Sequence, residues 1–209
     1  MGLAMGLAGR KARSRRPRLL FGGAAIVGAF VLITCFAPWI APYDPVAFQE
    51  GGRLLAPSAR HWLGTDALGR DVFSRLVYGG RVPLLVAAAS AAVALTLGAA
   101  LGWIAGYSGG YVDRILSLVM DAIYAFPALI LAIIVAAMLG PGITNMVIAI
   151  SLVYVPTYFR VARAETLRVR ELEFVAAARA AGASHPYILW RHVAPNTLNA
   201  VLAVLSFNI

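Results

Sequence analysis

The sequence predicts an all-α membrane protein, a polytopic helical bundle with four full spans and a partial fifth. Of its 209 residues, 61% are hydrophobic and only 13% are charged, whereas a soluble domain is nearer half apolar and a quarter charged. Apolar stretches long enough to cross about 30 Å of hydrocarbon as helices recur along the chain. The formal net charge of +9 is unevenly spread, because arginines gather in the polar segments that flank these stretches.

The chain begins with a basic tail, residues 1–18, which contains the only lysine, several arginines and no acid. Such a run is typical of a segment that stays in the cytoplasm. We prefer that interpretation to nucleic-acid binding, because no aromatic or folded module accompanies the run. Residues 19–41 carry no charge and form the first predicted transmembrane helix. The residues up to Cys35 resemble a lipoprotein cleavage site, but the apolar run continues, so we expect an uncleaved helix.

Residues 42–82 are predicted to form an external loop that contains an interfacial amphipathic helix. Turn-forming residues dominate the first part of this loop. Thr65 and Asp66 can open a helix that runs to about Tyr78. We expect Asp66 to pair with Arg70, and Asp71 with Arg75, at i,i+4 spacing on its polar side. A surface that contacts an external protein is the alternative interpretation of this helix.

The second predicted span, residues 83–107, opens the membrane core that we assign to residues 83–209. Small side chains recur in it at every fourth position, which places them on one helix face. Small residues let the backbones of two membrane helices approach closely, so we predict that this face packs against another helix. The sequence leaves open whether that helix lies in this chain. The five residues are Ser90, Ala94, Gly98, Gly102 and Gly106.

The third and fourth predicted spans cover residues 112–139 and 143–160. Asp121 lies about two turns inside the third span, where an acid suggests a functional polar site. We prefer a buried acid that fixes helix packing near the inner face by hydrogen bonding, because one acid without an evident basic partner within the membrane is too little for a proton relay. Pro127 should bend the third span and Pro156 should interrupt the fourth. Arginines after the fourth span indicate that the chain has returned to the cytoplasm.

Residues 168–196 are predicted to form two short helices joined by a tight corner. Strong helix formers run from Glu171 to Ala181, and Gly182 then ends the first helix. Ser184 can cap the second helix, and Pro195 should end it. The arginines and the number of preceding spans place this pair of helices on the cytoplasmic side.

This segment resembles the cytoplasmic signature loop of binding-protein-dependent ABC importer permeases, E-A-A-x-x-x-G-x9-I-x-L-P. Ala177, Ala178, Gly182 and Pro195 match that pattern at the right spacing, whereas Ala176, His192 and Ala194 depart from it. The sequence pattern E-F-V-x-A-A-R-x-x-G-A-S is most similar to that of the dipeptide, oligopeptide and nickel branch of this family. Two further blocks agree, H-W-L-G-T-D-A-L-G-R-D-V-F-S-R-L-V-Y-G-G-R at 61–81 and G-Y-S-G-G-Y-V-D-R followed by D-A-I-Y-A-F-P. The resemblance covers essentially the whole chain.

The resemblance implies a permease of the type I ABC importer kind in the inner (plasma) membrane of a bacterial cell. Such a multi-pass subunit, with its N-terminus in the cytoplasm and its spans in membrane lipid, forms a path for peptides or nickel complexes. The implied partners are a sister permease subunit, two ABC ATPase subunits and an extracytoplasmic substrate-binding protein. Members of this branch complete the helix that starts at residues 197–209 and add a sixth, so we expect a chain cut short. The implied ATPase-coupling residues are Glu173, Ala177, Ala178, Gly182, Ala183, Ser184, His185 and Pro195.

The sequence contains no pattern that predicts an enzyme. The nucleotide-binding motif G-x-x-x-x-G-K-[ST] does not occur, so ATP is expected on partner subunits and no cofactor on this chain. The histidines His61, His185 and His192 are scattered without metal-site spacing, so we predict no metal site. An ion-coupled secondary transporter is an alternative, but it would need more intramembrane charges than Asp121. A non-transporting membrane scaffold is the other alternative.

Overall fold

A computed structural model of the chain describes residues 21–48 and 52–208. Every regular element in those ranges is helical, apart from one isolated bridge between Thr65 and Asp71, so the predicted all-α fold class is confirmed. The helices are α1 Phe21–Cys35, α2 Ala37–Ile40, α3 Val72–Gly79, α4 Arg81–Ser108, α5 Gly110–Tyr124, α6 Ala128–Leu139, α7 Ile143–Val169, α8 Glu173–Ala180, α9 His185–Ile188 and α10 Ala194–Asn208, with a π-helical turn Leu189–Val193 between α9 and α10.

Two helical segments of the described ranges are long and apolar enough to cross a membrane, Val72–Ser108 and Ile143–Val169. Helices α5 and α6 provide a third crossing if together they form one span. Helix α1 is apolar but shorter, and the predicted first span, 19–41, begins outside the described residues. The chain divides into two compact units, residues 1–84 and 85–209, which we describe separately.

In the first unit, the predicted start of the amphipathic helix is wrong. Helix α3 begins at Val72, and the carboxylate of Asp71 caps it by accepting the N–H of Ser74 at 2.7 Å. Asp66 lies in a turn instead, because its carboxylate accepts the N–H groups of Leu68 and Arg70. Gly69, with φ of +79°, completes that turn.

The ion pairs of this loop also differ in part from the prediction. Asp66 does pair with Arg70, at 2.9 Å. Arg75, however, also pairs with Asp66 rather than with Asp71. The buried carboxylate of Asp71 instead lies 2.9 Å from Nδ1 of His61. The wrong helix start explains the change, because the predicted Asp71–Arg75 spacing assumed that Asp71 lies inside the helix.

In the second unit, the stripe of small residues on α4 packs against α7 of the same chain. A Cβ atom on Gly98 would lie 2.6 Å from the carbonyl oxygen of Val155, and one on Gly102 would lie 2.5 Å from that of Phe159. All five stripe residues are buried. The predicted packing face is therefore real, and the helix that covers it is α7.

The chain turns sharply between α5 and α6, whose axes differ by 92°. Pro127 is the N-cap of α6, and it cannot donate a hydrogen bond to continue α5. The predicted bend is confirmed, although it separates two helices rather than bending one. The predicted interruption at Pro156 is wrong, because α7 runs through this buried proline from Ile143–Val169.

Pro195 also does not end a helix, contrary to the prediction. The π-helical turn at Leu189–Val193 lets the N–H of Ala194 bond the carbonyl of Leu189, five residues back. Such a wide turn leaves room for a proline ring and for its missing donor. The backbone is thus helical from α9 through α10, and Thr197 is buried in it.

Candidate functional site

The corner of the 168–196 loop is built by Gly182. Helix α8 ends at Ala180, and Gly182 takes a φ of +81°. The N–H of Gly182 then bonds the carbonyl of Arg179 at 3.0 Å, and the N–H of Ala183 bonds that of Ala178 at 3.1 Å. This pair of bonds is a Schellman motif, which a glycine in left-handed conformation favours. The predicted helix stop at Gly182 is confirmed.

Five buried apolar side chains hold the loop together from the inside. They come from the end of α7, from α8 and from the segment after the corner, so they fix the angle between the two helices. Ala178 and Ala183 pack against this cluster and are only partly exposed. The cluster consists of Val169, Val175, Ile188, Leu189 and Val193.

Aromatic side chains connect the loop to the last turns of α4. Nε1 of Trp103 donates to the hydroxyl of Thr197 at 2.7 Å, and its ring meets that of Trp190 edge-on at 5.7 Å. The hydroxyl of Tyr107 lies 3.1 Å from Nδ1 of His185. Because these contacts join the segment after the corner to one helix end, the loop cannot turn independently of α4.

The opposite side of the loop faces away from the chain. Glu173, Ala177, Gly182 and Ser184 carry exposed surface there, and a Cβ atom on Gly182 would meet no atom within 4 Å. His185 and Pro195 are also exposed, but His185 borders a cavity of about 510 Å³ on the α4 side. The structure thus divides the predicted coupling residues into an outward group and the inward pair Ala178 and Ala183.

A second polar site lies between α5 and α7 and consists of two ion pairs. Arg163 holds both carboxylate oxygens of Asp113, with Nη2 to Oδ2 at 2.6 Å. Nη2 of Arg160 donates to Oδ1 of Asp121 at 2.8 Å. Asp121 therefore has the basic partner that the sequence did not reveal. Its side chain is 62% exposed within the chain, so it is not a buried packing acid there.

Sequence reasoning missed the partners of both sites. In the sequence, Arg160 and Arg163 belong to the arginines that mark the cytoplasmic side, and no pattern indicates a role for the aromatic residues of α4. Spacing along one helix can pair residues three or four positions apart. Asp121 and Arg160 are 39 positions apart, so only the packing of α5 on α7 brings them together. The aspartate at membrane depth was the one available signal.

Comparison with known proteins agrees with this geometry. Residues 98–209 match the family described as binding-protein-dependent transport system inner membrane component. Residues 12–57 match the N-terminal TM domain of oligopeptide transport permease C. These two matches confirm the predicted resemblance to the oligopeptide branch.

Three relatives illustrate the match. The chain is 40% identical over 195 residues to the dipeptide transport system permease protein of Alkalihalophilus pseudofirmus, covering 92% of this chain and 64% of the relative. It is 38% identical over 191 residues to the glutathione transport system permease protein of Pectobacterium atrosepticum, covering 89% and 64%. It is 39% identical over 186 residues to the probable D,D-dipeptide transport system permease protein of Escherichia coli, covering 89% and 62%.

The chain thus spans less than two thirds of the length of these relatives. The family match nevertheless covers more than half of the chain, residues 98–209 of 209, and its candidate spans fit a multi-pass protein. The chain therefore belongs to the family of inner membrane components of binding-protein-dependent transport systems.

Proposed function

We propose that this chain is a transmembrane permease subunit of an ATP-driven ABC importer for peptides or related small solutes. Dipeptide and glutathione transport, for which its relatives are named, support peptide-class solutes. In this proposal a sister permease completes the translocation path, and an extracytoplasmic binding protein delivers the solute. Two ABC ATPase subunits bind the ATP, and this chain binds none. Its N-terminus lies in the cytoplasm.

The observation that supports coupling to an ATPase is the outward group of the 168–196 loop. Ala177 has a short side chain and Gly182 has none on this exposed corner, so a partner surface can approach the backbone closely, with Glu173 exposed beside it. The inner side of the same loop is fixed to α4 through the contacts of Trp103 with Trp190 and of Tyr107 with His185. A partner that binds the corner and moves would therefore move α4 with it.

Two routes carry that movement into the membrane core. Beyond the corner, α9, the π-helical turn and α10 form one helical segment, which passes displacement to residues 194–208. Before the corner, Nη1 of Arg170 donates to the carbonyl of Gly106 at 2.6 Å, where α4 and α7 pack together. Closure of the ATPase pair would thus change both helix contacts and switch the path between inside and outside access.

Gly182→Asn tests the coupling. Asparagine tolerates the left-handed conformation better than other residues, and no atom lies within 4 Å of the new Cβ, so the loop should fold. The new side chain projects into the surface where the ATPase would dock. We expect normal membrane insertion with loss of ATP-driven dipeptide uptake in the assembled transporter, together with ATP hydrolysis that no longer responds to substrate.

The control is Ser108→Asn, which also introduces an asparagine side chain but on the α4 side of the cavity, and which should leave coupling intact. Normal uptake by the Gly182→Asn variant would contradict the coupling role. Uptake driven by an ion gradient without ATP would instead favour the secondary transporter.

A further inference from the structure

The Asp121–Arg160 pair lies toward the C-terminal end of the α7 span and is exposed on the surface of the chain. Helix α7 is a candidate span, and Arg160 is about 26 Å along it from Ile143 by a rise of about 1.5 Å per residue. That position is within the roughly 30 Å of hydrocarbon that a span crosses. The side chains of Arg160 and Asp121 are 47% and 62% exposed. Because charged groups avoid lipid, this pair must face water or another protein.

The two ion pairs between α5 and α7 differ in how many of their hydrogen-bonding atoms are already bonded within the chain. Asp113 and Arg163 are joined through two hydrogen bonds, and Ser117 adds a third contact to Asp113. Their side chains are only 17% and 33% exposed. All of this is typical of a pair that fixes one helix on another.

Asp121 and Arg160 are joined to each other by only one hydrogen bond. Within the described residues, Oδ2 of Asp121 and Nε and Nη1 of Arg160 make no hydrogen bond. The guanidinium lies 4.0 Å from the centre of the Tyr124 ring, a cation–π contact that holds it in place. One carboxylate oxygen and the N–H groups of two guanidinium nitrogens thus remain available beside each other on a positioned pair.

An open cleft reaches the Asp121 side of this pair, and the Arg160 side chain beside it is 47% exposed. The cleft has a volume of about 760 Å³ and runs along α5, with polar side chains from both helices on its surface. Asp121 lies in its lining together with Ser117 and Arg114. The cleft is large enough for a small peptide, and it brings a solute within reach of the unused oxygen of Asp121.

We infer that Asp121 and Arg160 form a binding site for a solute that carries both a free ammonium and a free carboxylate. The ammonium donates to the open oxygen of Asp121, and the carboxylate accepts a charge-assisted hydrogen bond from an open N–H group of Arg160. This inference rests on the proposed function, because the site would lie on the wall of the path that the permease forms.

The test uses the complete transporter with its partner subunits in lipid nanodiscs. Cys35, the only cysteine, is replaced by alanine, and Ser117→Cys then reports on the cleft without altering Asp121 or Arg160. A membrane-impermeant thiol reagent is added with dialanine or with its neutral analogue, blocked at both ends. Thr96→Cys is the control, because the Thr96 hydroxyl is exposed on α4 but bonds only its own helix.

We expect the aqueous reagent to label the Ser117→Cys variant rapidly and the Thr96→Cys variant slowly. Dialanine should slow the labelling of the cleft thiol several-fold, whereas the blocked analogue should not. Adding Arg160→Gln should abolish the slowing, and Arg160→Lys, which keeps the charge, should retain part of it.

Three results would overturn the inference. If the Ser117→Cys variant is not labelled in the complex, the face is covered by protein and no solute reaches it. Equal slowing by dialanine and its blocked analogue would show that the free charges of the solute are not recognised. Unchanged slowing with Arg160→Gln would show that the guanidinium takes no part in binding.

Binding-protein-dependent, ATP-driven uptake of dialanine is measured in parallel with the same complex. Failure of uptake contradicts the proposed function, whereas the labelling result depends only on solute reaching the cleft. The two failures are therefore distinguishable.

Discussion

Two buried threonines differ in whether their hydroxyl groups are satisfied. The hydroxyl of Thr166 is buried and makes no hydrogen bond within the described residues. That of Thr197 accepts from Trp103 and donates to the carbonyl of Ala194. A buried polar group without a partner costs stability, whereas removing one member of a bonded pair leaves the other unsatisfied.

The matched substitutions are Thr166→Val and Thr197→Val, which conserve volume at two fully buried positions. We expect Thr166→Val to leave the stability unchanged or raise it. Thr197→Val should lower the stability by about 1–3 kcal/mol, because the indole N–H of Trp103 loses its acceptor. Thermal unfolding of the purified protein in detergent measures both. A larger loss for Thr166→Val than for Thr197→Val would contradict the hydrogen-bond assignment.

Asp66 makes the loop before α3 sensitive to acid. The backbone N–H of Arg70 lowers the pKa of this carboxyl from 3.8 to about 2, with further hydrogen bonds from Leu68 and the Arg70 side chain. Burial raises the pKa of Asp71, but hydrogen bonds from Ser74 and His61 outweigh it, so that pKa is also lowered. A carboxyl with a lowered pKa stabilises the folded state when ionised.

The folded loop is therefore less stable in acid. The contribution of Asp66 is complete above pH 3.8 and is lost as the pH falls from 3.8 to about 2. Fluorine NMR of labelled Trp62, whose ring packs against that of Phe73 in this loop, should show the loop loosening across that window. Asp66→Asn should remove the larger part of the pH dependence. A titration of Asp66→Asn identical to that of the unmodified protein would contradict this assignment.

At the scale of the element, the contact between α4 and α7 depends on the absence of side chains. A Cβ atom on Gly102 would lie 2.5 Å from the carbonyl oxygen of Phe159 and 2.8 Å from Cβ of Ala162. Neither helix backbone can move away without losing the rest of the stripe. Overpacking of this kind typically costs about 1–3 kcal/mol.

We therefore expect Gly102→Ala to lower the free energy of unfolding by about 1–3 kcal/mol. Gly28→Ala in α1 is the matched control, because no atom lies within 4 Å of its Cβ and alanine favours a helix by up to about 1 kcal/mol. Thermal unfolding under the same conditions compares the two. Equal stability of the Gly102→Ala variant and the unmodified protein would contradict the close approach of α4 and α7.

Three prolines show what the sequence could and could not predict about these elements. Pro127 separates two helices, Pro156 lies inside α7, and Pro195 is accommodated by a π-helical turn. Proline removes the same donor at each place, so the local sequence predicts a disturbance but not its size. Pro156 is buried among packed neighbours that keep α7 continuous through it, whereas α6 after Pro127 has no buried residue. Packing, which the local sequence does not specify, decides the outcome.

The candidate sites also divide into features that the local sequence predicts and features that tertiary packing decides. The Gly182 corner depends on local backbone chemistry, and the sequence predicted it. The sequence predicts that the small residues of α4 form a packing face. Which helix packs against that face, α7, depends on the tertiary structure. The pairing of Asp121 with Arg160 connects residues 39 positions apart, and no local pattern indicates it. The start of α3 was placed too early because Thr65 and Asp66 carry the same capping chemistry as Asp71.

At the scale of the whole molecule, the 168–196 loop is the part that an ATPase moves in the proposed transporter. The loop has an exposed outer face at Ala177 and Gly182, and an inner face that packs against α4. The family places the chain in a transport system of the inner membrane. The central claim is that the outer face contacts the ATPase directly.

Site-specific photo-crosslinking tests this claim most directly. A photoreactive amino acid replaces Ala177 on the exposed face of α8 or, as the control, Leu129 on the exposed side of α6. The chain is produced with its partner subunits, and the products are identified by mass spectrometry after illumination of native membranes. We predict that position 177 crosslinks to an ATPase subunit with a phosphate-binding loop and that position 129 does not. If the assembled transporter is active but position 177 yields no ATPase crosslink, the coupling role of the loop is contradicted.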